Sequence, residues 1–192
     1  AGIEARTWAL RAGDFEELLR SHVQAWDHIW HRCELRVDGS ERAGQILNLH
    51  VFHLLQTVSE HSSSLDVGVP ARGLHGEAYR GHIFWDELFI FPFLNYRYPE
   101  LTRALLLYRY RRLPAARWAA REEGYRGAMY PWQSGSNGRE ESQLVHLNPK
   151  SGRWIPDNSR LQRHIGIAVA YNVWQYFQAT GDIDFVDVYG AE

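Results

Sequence analysis

The amino-acid sequence predicts an all-α fold of helices joined in pairs by loops, and three observations carry that prediction. Apolar residues recur at i, i+3 and i+4 through most of the chain, and capping residues stand where those runs begin and end. No segment sustains the strict apolar–polar alternation of a half-buried strand. The pattern helix, loop, helix then repeats from one end to the other. At 192 residues, with 45% hydrophobic and 14% aromatic content, the chain holds enough apolar surface for one core, so one domain is expected rather than two.

Residues 1–11 read as an incoming linker and 12–192 as the helices proper. Asp14 and Glu17 form a capping box, after which Phe15, Leu18, Leu19, Val23, Trp26, Ile29, Trp30 and Cys33 mark one helical face, with an end expected near Gly39. Ser40 can cap a second helix whose apolar face runs Ile46, Leu47, Val51, Leu54, Leu55 and Val58 before a serine run and Pro70 break it. A third helix spans about 85–97. A fourth starts at Pro99, which suits a first turn, and Pro114 either kinks it or divides it in two.

Residues 124–157 have no sustained period and are rich in Gly, Pro, Ser and Asn, so they read as one long loop with room for short strands. A loop of that length in a compact domain is usually functional or disordered. Tyr125, Met129, Tyr130, Trp132, Leu144, Val145, Trp154 and Ile155 argue against disorder. Ser159 can cap a helix that runs to Thr180 and stops at Gly181, and residues 184–192 read as the start of another.

Composition excludes several classes. A net charge of −2 removes the electrostatic case for nucleic acid or an anionic membrane as partner. The arginines between 103 and 121, interleaved with Tyr108, Tyr110 and Trp118, scatter around their helix and read as a solvated outer face. No run approaches a membrane span and the first residues lack a signal-peptide pattern, so a cytoplasmic address is the default expectation. Cys33 is alone and forms no internal disulfide. Neither histidine pair, His28/His31 nor His50/His53, carries the spacing or the flanking carboxylates of a catalytic zinc site, and no metal is expected.

The most informative stretch is residues 73–87, GLHGEAYRGHIFWDE, which sets glycines, two histidines, an arginine and a Trp-Asp pair at the mouth of an apolar helix. That mixture suits a sugar. An indole plane can lie against the C–H face of a pyranose while the adjacent carboxylate accepts hydrogen bonds from two neighbouring hydroxyls. Each residue also has a plainer reading: Trp85 as a core aromatic, Asp86 as a complement to the helix dipole, His82 as a satisfied core histidine, and Arg80 as the ion-pair partner of Glu77. Glu140 and Glu141 read equally as a solvated acidic turn, and Trp132 and Trp154 as loop-core aromatics, with Trp132 the better candidate for a wall.

The segment 73–87, then GYRGAMYPW at 124–132 followed by GREE at 138–141, then His164-Ile165 and AYNVWQYFQATGD at 170–182, resemble in the same order three motifs of the family-65 glycoside hydrolases and phosphorylases. The resemblance covers roughly residues 12–190. It implies about half of an (α/α)6 barrel, two rings of six helices with the active site in loops at one end of the inner ring. It implies a glucose-binding subsite built on Trp85 and Asp86; His82 and Arg80 beside the pair, and Trp132 and His164 in the substrate funnel, are further candidates to meet the sugar. Glu140 and Glu141 would border the place of the leaving sugar, although Arg139 between Gly138 and the glutamates blurs which one corresponds.

The activity so implied is cleavage of an α-glucosyl disaccharide, of the maltose, trehalose or kojibiose type, with inversion and with inorganic phosphate as co-substrate and no cofactor. A phosphorylase needs only one catalytic carboxylate, because phosphate is already an anionic nucleophile. The family's general acid is a glutamate in a segment reading roughly Asp-Glu-Tyr-His, well downstream of the Thr-Gly-Asp helix end, so this chain is expected to be one piece of a larger enzyme and to carry no catalytic residue itself. A homodimer of the full-length enzyme stays open. Two other readings stand beside it: an inverting α-glucoside hydrolase, trehalase-like, on the same barrel, and a non-catalytic carbohydrate-binding remnant.

Overall fold

The structure is a computed structural model that describes residues 2–73, 76 and 79–191. Among the described residues it is predominantly helical, with one small hairpin. Proximity along the backbone divides the chain into two units, Ala1–Val51 and Phe52–Glu192.

In the first unit the segment expected to lead in is itself helical, α1 (Gly2–Arg11). The capping box at Asp14 is present, with the Asp14 carboxylate accepting from Glu17 N at 2.9 Å, and it opens α2 (Phe15–Cys33). This helix stops six residues before the expected Gly39. The cause is Asn48, whose side-chain amide accepts from Leu35 N at 3.0 Å and donates to Leu35 O at 2.8 Å. A side chain thirteen residues away thus satisfies the Leu35 backbone in place of a further helical turn. The Ser40 hydroxyl accepts from Ala43 N at 3.2 Å and caps α3 (Glu41–Leu55), as expected.

The second unit is built on α4 (Glu87–Arg97), α5 (Pro99–Arg111) and α7 (Ile165–Thr180), which pack on one another. Phe91, Leu94, Leu101, Leu105 and Ile165 are fully buried between them. Tyr98 separates α4 from α5, because a residue before proline is driven out of the helical region; its φ and ψ are −142° and 61°. Pro114 divides rather than kinks. It stands in the first turn of α6 (Leu113–Glu122), where its missing N–H costs nothing.

The long loop carries the short strands β1 (Val145–Asn148) and β2 (Arg153–Pro156), paired antiparallel with His146 opposite Ile155. Ser159 does not cap α7. Its N–H is taken by the Asp157 carboxylate at 2.9 Å, residues 159–161 make a single 3-10 turn, and α7 begins only at Ile165. At its other end Gly181 adopts φ 68° and donates to Phe177 O at 2.8 Å, a left-handed stop that glycine enters without steric cost. Asp182 then caps the short α8 (Ile183–Phe185), which continues as a π turn. No helix among the described residues is long and apolar enough to cross a membrane.

Candidate functional site

The site grows from the segment that enters α4. Ile83 is bound to Ser134 by hydrogen bonds in both directions, 3.0 and 2.8 Å, and Ser134 is bridged in turn to Glu140. The stretch before Trp85-Asp86 therefore lies beside a loop some fifty residues on, in which the segment after Trp132 folds back on the one that carries the glutamates.

Helix α5 is the platform under them. Arg109 is 1% exposed, its Nε donates to both oxygens of the Glu87 carboxylate at 3.0 and 3.2 Å, and its Nη2 donates to Phe84 O at 2.7 Å. It thereby grips the chain on both sides of Trp85 and Asp86. Burial pushes the Glu87 carboxyl above its ordinary range, and the neighbouring guanidinium offsets part of that rise. Tyr108 donates from its hydroxyl to Gly135 O at 2.8 Å and meets the Ser134 hydroxyl at 2.8 Å, holding the turn of the second stretch. Arg112 lies over the Tyr108 ring, 3.6 Å from its centre, and donates to Ser136 O. These arginines are not a solvated face: Arg109 is buried, Arg112 is nearly so, and Arg111 alone of the three is exposed, sharing the Asp66 carboxylate with Arg112.

Above the platform lies a cavity of about 680 Å³, inside the roughly 300–1,000 Å³ range typical of small-molecule sites. Its lining includes Arg80, Trp85, Asp86, Trp132 and Glu141, five of the eight residues singled out from sequence. The aromatic rings form one edge-to-face chain, from Tyr79 to Phe84 at 5.0 Å, Phe84 to Trp132 at 5.5 Å, Trp132 to His164 at 5.5 Å and His164 to Trp85 at 4.7 Å between centres. His164 does not line the cavity. It stands behind it as the spacer between the two indoles, and its buried Nε2 has no hydrogen-bond partner among the described residues.

His82 also stands back from the lining, half-buried, with Nδ1 2.6 Å from the Gln133 amide nitrogen. The Asp86 carboxyl is raised above its ordinary range by burial, and it borders a second, smaller hollow of about 280 Å³ as well. Tyr79 and Arg80 both adopt positive φ, 57° and 56°, next to Gly81 at 69°, an unusual run of left-handed backbone at the cavity rim. Leu74, His75, Glu77 and Ala78 lie outside the described residues, and with them the reading of Arg80 as the partner of Glu77.

The two glutamates separate. Glu141 faces the cavity, with its side chain lying over the bare Cα of Gly135, where an added Cβ would stand 3.0 Å from Glu141 Cγ. Glu140 faces its own loop. Its carboxylate accepts from Trp132 N at 2.7 Å, Gln133 N at 3.2 Å and Ser142 N at 3.0 Å. Trp154 is 67% exposed on β2 and is not a wall.

Sequence reasoning missed Gln133, Ser142, Gln143, Asp157 and Ser159 on the lining. Asp157 could have been found from its place before a serine, since the Ser159 hydrogen bonds hold its carboxyl below the usual range. Gln133 had no signal beyond its position beside Trp132. What the arrangement can do chemically is to lay a sugar ring against an indole of the lining while Asp86, Glu141, Asp157 and Arg80 take up hydroxyls.

Comparison with known proteins agrees with this geometry. Residues 48–192 match the glycosyl hydrolase family 65 central catalytic domain. An uncharacterized glycosyl hydrolase of Mycobacterium tuberculosis is 55% identical over the whole chain, which spans 14% of that protein. A kojibiose phosphorylase of Caldanaerobacter subterraneus subsp. tengcongensis is 43% identical over 93% of the chain, and a trehalose 6-phosphate phosphorylase of Lactococcus lactis is 42% identical over 90%; the chain spans 23% of each. A solved structure provisionally assigned as a kojibiose phosphorylase from the human microbiome superimposes with a TM-score of 0.75 at 25% identity, over 97% of this chain and 23% of that one. The helices are thus part of an α/α barrel, and the chain belongs to glycosyl hydrolase family 65.

Proposed function

We propose that this chain is the glucose-binding part of a glycoside phosphorylase that cleaves an α-glucosyl disaccharide with inversion, using inorganic phosphate. The observation that supports it most directly is the cavity in which Trp85 and Trp132 stand on one aromatic chain and Asp86 sits at their side. An indole presents an apolar plane to the C–H face of a pyranose, and the Asp86 carboxylate accepts from two hydroxyls. Family membership supports the reaction class, and relatives named as kojibiose and trehalose 6-phosphate phosphorylases support phosphate as the nucleophile.

In this reading the chain's residues bind and orient, and no proton transfer is asked of them. Holding the glucosyl unit in one pose removes the entropic cost of alignment from the chemical step. The general acid and the phosphate donors belong to the rest of the enzyme.

The test is to incubate the full-length protein with kojibiose, trehalose and maltose, with and without inorganic phosphate, and to follow glucose 1-phosphate and its anomeric form. Phosphate-dependent release of β-glucose 1-phosphate from one of them is expected. Glucose release independent of phosphate would replace the reading with a hydrolase, and binding without turnover would replace it with a carbohydrate-binding remnant. The 192-residue chain alone is expected to turn over none of the three.

A further inference from the structure

Glu140 and Glu141 are adjacent on the loop that borders the cavity, yet the structure uses their two carboxylates differently. Glu140 is absent from the cavity lining, while the three residues whose N–H groups it accepts, Trp132, Gln133 and Ser142, all line it. One carboxylate therefore ties together three points of the wall. Both of its oxygens are engaged, Oε2 by Trp132 and Oε1 by Gln133 and Ser142, so its charge is already satisfied within the loop. The same stretch is also held by Ile83, through Ser134, and by the contact of Gln133 with His82.

We propose that Glu140 is a positioning residue that sets the wall formed by Trp132, Gln133 and Ser142, and that Glu141 is the member of the pair that meets the sugar. The assignment deepens the phosphorylase reading and rests on it for the identity of the ligand. A negative oxygen accepting three backbone N–H groups fixes backbone rather than side chains, so the indole of Trp132 is aimed through its own main chain. Replacing the carboxylate by an amide leaves one acceptor oxygen and turns an NH2 group toward a backbone N–H, which frees at least one of the three points.

The experiment uses Glu140→Gln and Glu141→Gln in the full-length protein, with two readouts. The first is hydrogen–deuterium exchange of the peptide covering residues 131–143, which needs no substrate. Faster exchange is expected in Glu140→Gln and not in Glu141→Gln. The second is kcat and KM on the disaccharide that proves to be the substrate and on analogues each lacking one hydroxyl.

Glu140→Gln should raise KM by about tenfold on every analogue alike, with a smaller change in kcat, as befits a displaced wall. Glu141→Gln should lose its effect on the one analogue that lacks its partner hydroxyl. If Glu140→Gln does not yield folded protein, Glu140→Asp, one methylene too short to reach all three N–H groups, is expected to show the same uniform loss. Unchanged exchange, or a Glu140 effect confined to a single analogue, would overturn the assignment. A wild-type protein inactive on every α-glucobiose would overturn the phosphorylase reading, while faster exchange in Glu140→Gln would still establish the clamp.

Discussion

Replacing Arg109 by methionine removes one half of a buried ion pair and leaves the other half in place. Glu87 is 1% exposed and has its two oxygens on Arg109 Nε, and Phe84 O loses the Nη2 hydrogen bond of 2.7 Å. An uncompensated buried charge costs about 3–5 kcal/mol. Removing Glu87 at the same time, as Glu87→Leu with Arg109→Met, leaves only the Phe84 carbonyl unpaired, at about 1–3 kcal/mol. The double variant is therefore expected to be more stable than Arg109→Met by roughly 2 kcal/mol. The assay is urea unfolding of the chain followed by far-ultraviolet circular dichroism, carried through the full double-mutant cycle.

pH supplies a second arm. Burial raises the folded-state Glu87 carboxyl above its ordinary value of 4.5, and removing Arg109 raises it further. A group raised on folding favours the folded state at low pH and disfavours it as pH climbs through the folded value. The penalty of Arg109→Met should then be small at about pH 4 and grow toward about pH 8. A single variant no less stable than the double, or a penalty independent of pH, would refute the reading of Arg109 as the counter-ion of Glu87.

Four further outcomes follow from the same structure. Asp86→Ala in the full-length protein should lower kcat/KM by about 2–4 kcal/mol through unpaired substrate hydroxyls, and full activity with an intact fold would return Trp85 and Asp86 to a structural role. Because burial raises the Asp86 carboxyl, the acid limb of kcat/KM should sit above the ordinary aspartate range, and Asp86→Asn should remove that limb; a limb that persists in Asp86→Asn belongs to another group. Asn48→Ala leaves both polar groups of Leu35 without their partner and should destabilise the first unit by about 1–2 kcal/mol in urea unfolding. Arg111→Ala, which breaks only an exposed pair with Asp66, should change stability by less than about 1 kcal/mol and leave kcat/KM unaltered.

What the sequence determined by itself was whatever depends on neighbours within a turn or two. The capping box at Asp14, the Ser40 cap, the break at Pro99 and Pro114, and the left-handed stop at Gly181 were all legible, because each is a bond or a steric exclusion between residues at most four apart. Motif order was legible for the same reason, and it located five of the cavity's residues. The tertiary structure alone decided which polar side chains face inward.

Arg109 looked like its exposed neighbours until Glu87, twenty-two residues earlier, supplied a carboxylate that makes its burial tolerable. Glu140 and Glu141 are indistinguishable as adjacent acids, and only the fold of the loop, which brings Trp132 N eight residues back onto Glu140, separates clamp from cavity face. The early end of α2 at Cys33 has the same origin, since Leu35 leaves the helix for an amide thirteen residues on. Local hydrogen bonds are written in the order of residues; a buried charge or an orphan carbonyl is satisfied by whatever the fold brings near, and that partner has no fixed distance along the chain.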